Sequence, residues 1–274
     1  MRAAPPLTPR ALRTRWALAR LARAGIVPPW TGPPVHAMGL VFRGPVGLAA
    51  GFDRHGVLGG NADRLGFGAI EIGTLAADAR RPLAACITPP GATATRSGVS
   101  IGKRAATPWA RAEDDFVRAF LAVHRRADYV TLNAGRDRPS AAHFVRVTEA
   151  LARTRDAVAA RCGRPLPLVV KLPSAWLAQR DRVGVAAAFV AAGAAGLLIS
   201  AEGARSRQAA RAVLAELAQG LGREVCLISV GGIDSVREAQ ARLRAGARLI
   251  QLHRAIATGD VQLIGRLNRT LATG

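Results

Sequence analysis

Small and polar residues end a series of short apolar runs, and their types suit the binding of a flat, polar ring. Alanine and glycine let a ring approach the backbone closely, whereas Thr, Ser, Asn and Lys side chains offer hydrogen bonds to the edge of a heterocycle. The residues at these run ends are Ala49, Ala50, Gly51, Thr74, Ser100, Asn133, Lys171, Ser200, Gly231, Gly232, His253 and Arg254. If the run ends meet at one place, the sequence predicts a binding site for a heterocyclic cofactor there.

The last two runs end in residues that favour a phosphate group. Gly231 and Gly232 are followed by Asp234 and Ser235, where a helix N-terminus would point backbone N–H groups at an anion. Arg254, after the last run, would add a positive charge. The sequence therefore predicts a phosphate site between the last two run ends.

Lysine is rare in this chain. Lys103 and Lys171 are the two lysines among 39 Lys and Arg residues, so Arg supplies the positive charge almost everywhere. A compact ammonium fits a tight polar pocket that the planar guanidinium does not fit. We expect Lys171 to point into the site, near a group that becomes negative during the reaction. Chance retention is the alternative for each lysine.

Eight apolar runs carry these residues, and amphipathic helical stretches separate most of them. The runs lie at 44–51, 68–74, 98–103, 127–135, 167–173, 195–203, 225–233 and 247–255. Near-continuous apolar runs are typical of parallel strands buried on both faces. Eight strands alternating with helices favour a (β/α)8 barrel, whose active site forms at the C-terminal strand ends. An open doubly wound sheet is the alternative.

Two segments depart from this alternation. Residues 75–97 contain adjacent prolines and show no helical period, so we expect a shortened segment between the second and third strands. Residues 7–25 alternate apolar residues with Arg, which predicts an amphipathic helix. That helix either caps the bottom of the barrel or lies on an anionic membrane surface. We expect residues 1–40 to form a helical extension and residues 41–274 to form the barrel.

The composition disfavours several classes of protein. The net charge is +21, but the Arg residues are spread along every segment, and 4% aromatic residues are too few for a base-stacking platform. We therefore predict no nucleic-acid partner. No apolar run could span a membrane and no secretory signal is evident, so we expect a cytoplasmic protein, with peripheral contact to the inner membrane left open. Three scattered cysteines predict neither a disulfide framework nor a metal site.

In order and spacing, the runs resemble motifs of the dihydroorotate dehydrogenases, specifically the membrane-associated, quinone-using class. The segment "PVGLAAGFDRHG" (45–56) is similar to that family's PVGLAAGFDKNG. Further matches are "LGFGAIEIGT", "GVSIGKRAATP", "ADYVTLN", "VVKL", "VGGI" and "RAGARLIQL". The resemblance implies an FMN-containing (β/α)8 barrel that oxidises dihydroorotate by hydride transfer to the flavin. Position by position, it implies flavin contacts at the twelve run-end residues named above, although Ser100 replaces an Asn and His253 with Arg254 replaces a Tyr-Thr pair.

The substrate side departs from the family's pattern. The family's NxSSPNT reads "NAGRDRP" here, so Arg136 stands at the catalytic Ser base and Arg138 at a substrate Asn. Ala201 replaces another substrate Asn, and Arg54 with His55 replaces a Lys-Asn pair. The family's loop NRMGFNN is absent. The resemblance thus extends to the flavin half of the site and not to the dihydroorotate half.

These departures predict an FMN-dependent oxidoreductase that acts on a different small molecule. The added Arg residues favour a carboxylate or phosphate group, so we expect an anionic substrate, with Arg54, His55 and Arg136 as catalytic candidates. The candidates for acid–base chemistry are His55, Asp137, His143 and Glu202. Two alternatives stay open. One is a barrel without redox activity that serves as an accessory subunit or catalyses a non-redox reaction, and the other is an RNA-linked flavoprotein similar to the dihydrouridine synthases.

Overall fold

Eight parallel strands close into a barrel in the computed structural model, which describes residues 27, 30–54, 56, 58, 63–76 and 94–273. The first two strands form an antiparallel hairpin outside the barrel: β1 (Val35–Ala37) and β2 (Leu40–Phe42). The barrel strands are β3 (Val46–Leu48), β4 (Ala69–Ala76), β5 (Arg96–Gly102), β6 (Tyr129–Leu132), β7 (Leu168–Leu172), β8 (Gly196–Ser200), β9 (Cys226–Val230) and β10 (Leu249–Leu252). Strand β10 pairs with β3 and closes the ring. The predicted (β/α)8 barrel is confirmed, and the sheet is not open.

Helices follow the strands from β5 onward. They are α1 (Ala112–Val123), α2 (Ala141–Cys162), α3 (Ser174–Leu177), α4 (Arg182–Ala191), α5 (Arg207–Leu221), α6 (Val236–Arg244), α7 (Arg254–Ala257) and α8 (Leu263–Ala272). Serine side chains at the N-caps of α2, α5 and α6 each accept a hydrogen bond from the backbone N–H of the third helical residue, as expected of N-caps. Gly163 ends α2 in the left-handed conformation, with φ +67°.

The strand period of two divides the inner from the outer side chains. The outward residues Leu168, Val170 and Leu172 of β7 pack in the core between barrel and helices, whereas the inward Val169 packs within the barrel. The hairpin residue Phe42 belongs to the same inner cluster, and its ring lies 6.2 Å from that of Tyr129. The hairpin therefore closes the barrel at the N-terminal ends of the strands.

Towards the C-terminal ends of the strands, the inward residues become polar. Two positions beyond the apolar inner layer, the strands carry Glu71, Thr131, Lys171 and Gln251. Three of these four are fully buried, and Lys171 is half-buried. The barrel thus has an apolar floor at one end and a polar layer beneath its C-terminal mouth.

Two expectations concern segments that the structure does not describe. The predicted amphipathic helix at 7–25 and most of the Pro-rich segment at 75–97 lie outside the described residues, and the division at residue 40 stays a prediction. In the ranges that are described, no helix is long and apolar enough to cross a membrane.

Candidate functional site

Two adjoining cavities open at the C-terminal ends of the strands. The central cavity has a volume of about 760 Å³ and lies over the polar layer of the barrel. The side cavity has a volume of about 550 Å³ and lies beside the loop that follows β6. The residues that line both are Asn133, Lys171, Ser200, Glu202 and Gly203. The two cavities therefore share a wall.

Ten of the twelve predicted cofactor residues line the central cavity. They are Ala49, Ala50, Ser100, Asn133, Lys171, Ser200, Gly231, Gly232, His253 and Arg254. The other two, Gly51 and Thr74, do not line it but bond to residues at the strand ends. The Gly51 N–H donates to the Gly73 carbonyl oxygen at 2.7 Å, which ties the end of β3 to the end of β4.

Thr74 links two of the lining residues. Its Oγ1 lies 3.0 Å from Ser100 Oγ and accepts a hydrogen bond from Asn133 Nδ2 at 2.9 Å. The Asn133 Oδ1 atom accepts from the Gly135 N–H at 3.1 Å. These bonds fix three neutral polar side chains from adjacent strands, so the cavity has a preorganised edge of donors and acceptors.

Lys171 brings a positive charge to the cavity from β7, the strand that pairs with β6. It follows Val170 on β7 and faces the barrel interior. Within the part of the chain that the structure describes, no hydrogen bond or ion pair engages its ammonium group, although its charge acts on the nearby Glu71 carboxylate. A half-buried ammonium group without a hydrogen bond or ion pair suits a ligand that carries negative charge.

The glycine pair after β9 forms the other end of the central cavity. Gly231 and Gly232 have φ values of +95° and +72°, a conformation that favours glycine. A side chain on Gly231 would place its Cβ only 3.2 Å from the Glu202 nitrogen. The buried Arg242 supports this turn, because it donates to the Gly231 carbonyl oxygen at 3.4 Å and to Glu238 at 2.6 Å.

His253 directly follows β10, the strand that pairs with both β9 and β3. Burial lowers the pKa of its imidazole, and the charges of Lys171, Arg254 and Arg54 lower the pKa further, whereas Glu202 raises it. The imidazole is therefore neutral at neutral pH and adds no positive charge of its own. The Arg254 guanidinium carries the positive charge that the sequence predicts at the last run end.

The loop that carries Arg136 and Arg138 is held in place by its neighbours. Both arginines line the side cavity. Lys103, whose side chain is only 6% exposed, forms an ion pair with Asp137 at 2.9 Å. The Trp109 indole N–H donates to the Asp137 carbonyl oxygen, and that of Trp176 donates to the Pro139 carbonyl oxygen at 3.2 Å. Lys103 is thus a loop-positioning residue, which gives the second lysine of the chain a structural reason.

The remaining candidates are scattered. Arg54 lines neither cavity, and its buried Nε has no hydrogen-bond partner. His55 lies outside the described residues. His143 lies 3.2 Å from the Trp109 carbonyl oxygen, away from both cavities, and Asp137 is paired with Lys103. Of these acid–base candidates, Glu202 is the one that lines the two cavities.

Two polar lining residues that lie within barrel strands do not appear among the sequence predictions. Glu71 and Gln251 both line the central cavity, and the Gln251 amide donates to Glu71 Oε2 at 2.9 Å. The available signal was a carboxylate in the middle of the run "GAIEIGT", since a strand buried on both faces is otherwise apolar. Such a residue needs partners inside the barrel or a function there.

No metal-binding cluster is evident in the described ranges, where groups of three His, Cys, Asp or Glu residues with suitable geometry are absent. Cys226 lies in the inner apolar cluster, and burial raises the pKa of its thiol to about 12. This thiol is therefore protonated and unreactive at neutral pH.

Comparisons with known proteins agree with this architecture. The dihydroorotate dehydrogenase family model matches residues 193–273. A curated relative from Alkalilimnicola ehrlichii, named dihydroorotate dehydrogenase (quinone), is 33% identical over 87% of this chain and 86% of its own. A relative of the same name from Bordetella avium is 30% identical over 87% and 84%.

The solved structures extend the agreement to the fold. The crystal structure of DHODH from Eimeria tenella in complex with ferulenol aligns with a TM-score of 0.74, at 21% identity over 97% of this chain and 92% of that one. At this identity the likeness shows the fold alone. The 33% identity to the Alkalilimnicola relative, over most of both chains, decides the assignment: the chain belongs to the dihydroorotate dehydrogenase family.

Proposed function

We propose that this protein is an FMN-dependent oxidoreductase whose substrate is a small anion other than dihydroorotate. The observation that carries the proposal is the contrast between the two cavities. The central cavity keeps small residues, a neutral hydrogen-bonding edge and a lysine, whereas the side cavity has Arg136 and Arg138 in place of the family's Ser base and substrate Asn.

The residues of the central cavity fit FMN. Its volume of about 760 Å³ lies within the range of roughly 300–1,000 Å³ that is usual for cofactor sites. Ala49 and Ala50 would lie beneath the ring system, and Asn133 and Lys171 would bind its polar edge. The glycine pair and Arg254 would hold the phosphate, since positive-φ glycines expose backbone N–H groups to an anion. Bound FMN would supply a hydride acceptor.

The side cavity fits an anionic substrate that touches the flavin site. Arg136 and Arg138 present guanidinium groups that pair with carboxylate or phosphate oxygens. Lys171 adds a third cation at the shared wall. Glu202 lies at the same wall and is the carboxylate that could accept a proton from a substrate bound there. The site thus offers both recognition of an anion and a proton acceptor.

Replacing Arg136 or Arg138 with Gln, each in a separate variant, is expected to weaken anion binding. Both side chains are exposed at the mouth of the cavity, so we expect each to contribute about tenfold in affinity. Acetate and inorganic phosphate would be titrated into the FMN-loaded protein, and binding would be followed by the change in visible absorption. Arg146→Gln on α2 removes the same charge outside the cavities and is the control. Equal affinities in wild type, the two variants and the control would remove the anion site from the proposal.

Dihydroorotate itself provides the test of substrate class. The FMN-loaded protein would be mixed with dihydroorotate without oxygen, and the flavin absorption near 450 nm would be recorded. We expect no bleaching, because the general base and substrate amides are replaced, and loss of a base costs about 10²–10⁴-fold. Dithionite provides the positive control for reduction. Rapid bleaching by dihydroorotate would show that the family's own substrate is retained.

A second function is favoured by one observation. Arg136 occupies the position of the family's base and Ala201 that of a substrate Asn, which is also what a barrel without redox activity would show. Such an accessory protein would bind anions in the side cavity but take up no FMN. The two functions are therefore distinguished by flavin binding alone.

A further inference from the structure

A buried carboxylate lies beneath the central cavity and has no role in the proposed function. Glu71, on β4, faces the barrel interior and is 2% exposed. Its Oε2 atom accepts hydrogen bonds from Gln251 Nε2 at 2.9 Å and from Thr131 Oγ1 at 3.0 Å. Although buried, the residue lines the cavity that we assign to the flavin. The carboxylate therefore lies where a charge on the cofactor would act on it.

The groups around Glu71 include one cation from the barrel strands. Lys171 faces it from β7, close enough for the ammonium charge to favour the ionised carboxylate. Tyr129 on β6 also hydrogen-bonds to Glu71, and burial raises the pKa of this phenol well above its ordinary value, so that it stays neutral. The other charged or titratable residues that line the cavity are Glu202, Arg207, Asp234, His253 and Arg254.

The pKa of the Glu71 carboxyl group is raised, because burial outweighs the groups that stabilise its ionised form. Burial raises the pKa of the carboxyl group, and the hydrogen bonds from Gln251 and Thr131 with the charge of Lys171 offset part of this effect. With Glu71 ionised, the carboxylate and the ammonium compensate each other. A negative charge added at the edge of the cavity would compete with the carboxylate for Lys171 and favour the protonated form.

We propose that Glu71 is a proton site coupled to flavin reduction, an inference that rests on the proposed function. Bound FMN would supply an acceptor for two electrons and one proton. On its reduction, the Glu71 carboxylate would take up a second proton, from solvent. Reoxidation releases this second proton. Glu71 is thus a positioning residue that sets the charge around Lys171, and it does not touch the substrate.

Proton uptake by Glu71 would give the midpoint potential of the bound flavin a characteristic pH dependence. Below the pKa of Glu71 the carboxyl is neutral in both redox states, so wild type and Glu71→Gln should have the same potential. Above the pKa that Glu71 has when the flavin is reduced, the carboxyl group is ionised in both redox states. Its charge then opposes reduction, so the flavin potential of wild type should lie below that of the variant by a constant amount. Between these limits the wild-type potential falls more steeply with pH, because reduction takes up one extra proton.

The experiment is a reductive titration of the FMN-loaded proteins with dithionite and reference dyes at a series of pH values. Glu71→Gln keeps an acceptor for Thr131 and removes the titratable group. Thr131→Val removes one hydrogen bond that favours the carboxylate, so the steep window should move to higher pH. Glu149→Gln, an exposed residue on α2, removes the same charge far from the cavity and should follow wild type.

The outcomes separate this inference from the function on which it rests. If wild-type protein binds no FMN, the proposed function fails and the inference fails with it. If it binds FMN and Glu71→Gln differs from wild type by the same amount at every pH, or not at all, only the inference fails. If Glu71→Gln cannot be loaded with FMN, the Thr131→Val variant decides. The proposal is overturned if the steep pH range of this variant is the same as in wild type, and it is supported if that range lies at higher pH.

Discussion

Replacing Lys171 with Met is expected to raise the dissociation constant of FMN about 10- to 100-fold. Met keeps the length and apolar stem of the side chain and removes the ammonium, which has no hydrogen bond or ion pair within the described ranges. A hydrogen bond to a charged group contributes about 1.5–3 kcal/mol, which corresponds to this change in affinity. The dissociation constant would be measured from the quenching of FMN fluorescence as apoprotein is added.

The other lysine of the chain is the matched control. Lys103→Met removes the same charge from a side chain that is 6% exposed, but Lys103 pairs with Asp137 in the loop beside the side cavity. We therefore expect its FMN affinity to stay close to wild type while its affinity for acetate and phosphate falls. If both variants lost FMN equally, or if Lys171→Met retained it as well as wild type, the placement of Lys171 at the flavin would be wrong.

Gly231→Val is expected to weaken FMN binding by about 100-fold or more. Valine at φ +95° adds backbone strain of about 1–3 kcal/mol. Its Cβ would also lie 3.2 Å from the Glu202 nitrogen and 3.5 Å from the Ala201 Cβ, so the wall of the central cavity must shift. The shift would also displace the backbone N–H groups that, in the proposed site, face the phosphate. The same fluorescence titration measures the effect.

Gly222→Val controls for strain alone. Gly222 ends α5 with φ +76°, and a Cβ there would have no neighbouring atom within 4 Å. Both variants therefore place valine at positive φ, but one lies at the cavity and the other in open space. We expect Gly222→Val to lose stability and keep its FMN affinity, once circular dichroism shows that the protein is folded. Equal loss of FMN in both variants would show that the glycine pair has no specific part in binding.

The barrel could be predicted because its strands are buried on both faces. Runs such as "PLVVKLP" are apolar at every position but one, and eight of them alternating with helices leave few architectures. The ring of cofactor residues followed from the same rule, since the C-terminal ends of parallel strands meet. Ten of the twelve predicted residues line one cavity for this reason. Thr74 does not line it but bonds to Ser100 and Asn133, which do, and Gly51 bonds to the backbone of Gly73.

The parts that escaped prediction depend on distances between strands. Glu71 and Gln251 come from β4 and β10, and nothing in the local sequence indicates that their side chains meet at 2.9 Å. The role of Lys103 likewise required knowledge of its contact with Asp137 across two loops. The absence of Arg54 from both cavities has the same origin, because its position after β3 fixes its place along the chain but not its orientation.

The most direct test of the proposed oxidoreductase function is to measure the binding of FMN to the purified protein. The visible spectrum would be recorded as isolated and after addition of FMN and removal of the unbound flavin, and the flavin released by denaturation would be identified and counted. We predict one FMN per chain, released on denaturation and bound again on refolding. A colourless protein that takes up no added FMN would contradict the proposed oxidoreductase function and favour an anion-binding barrel without redox activity.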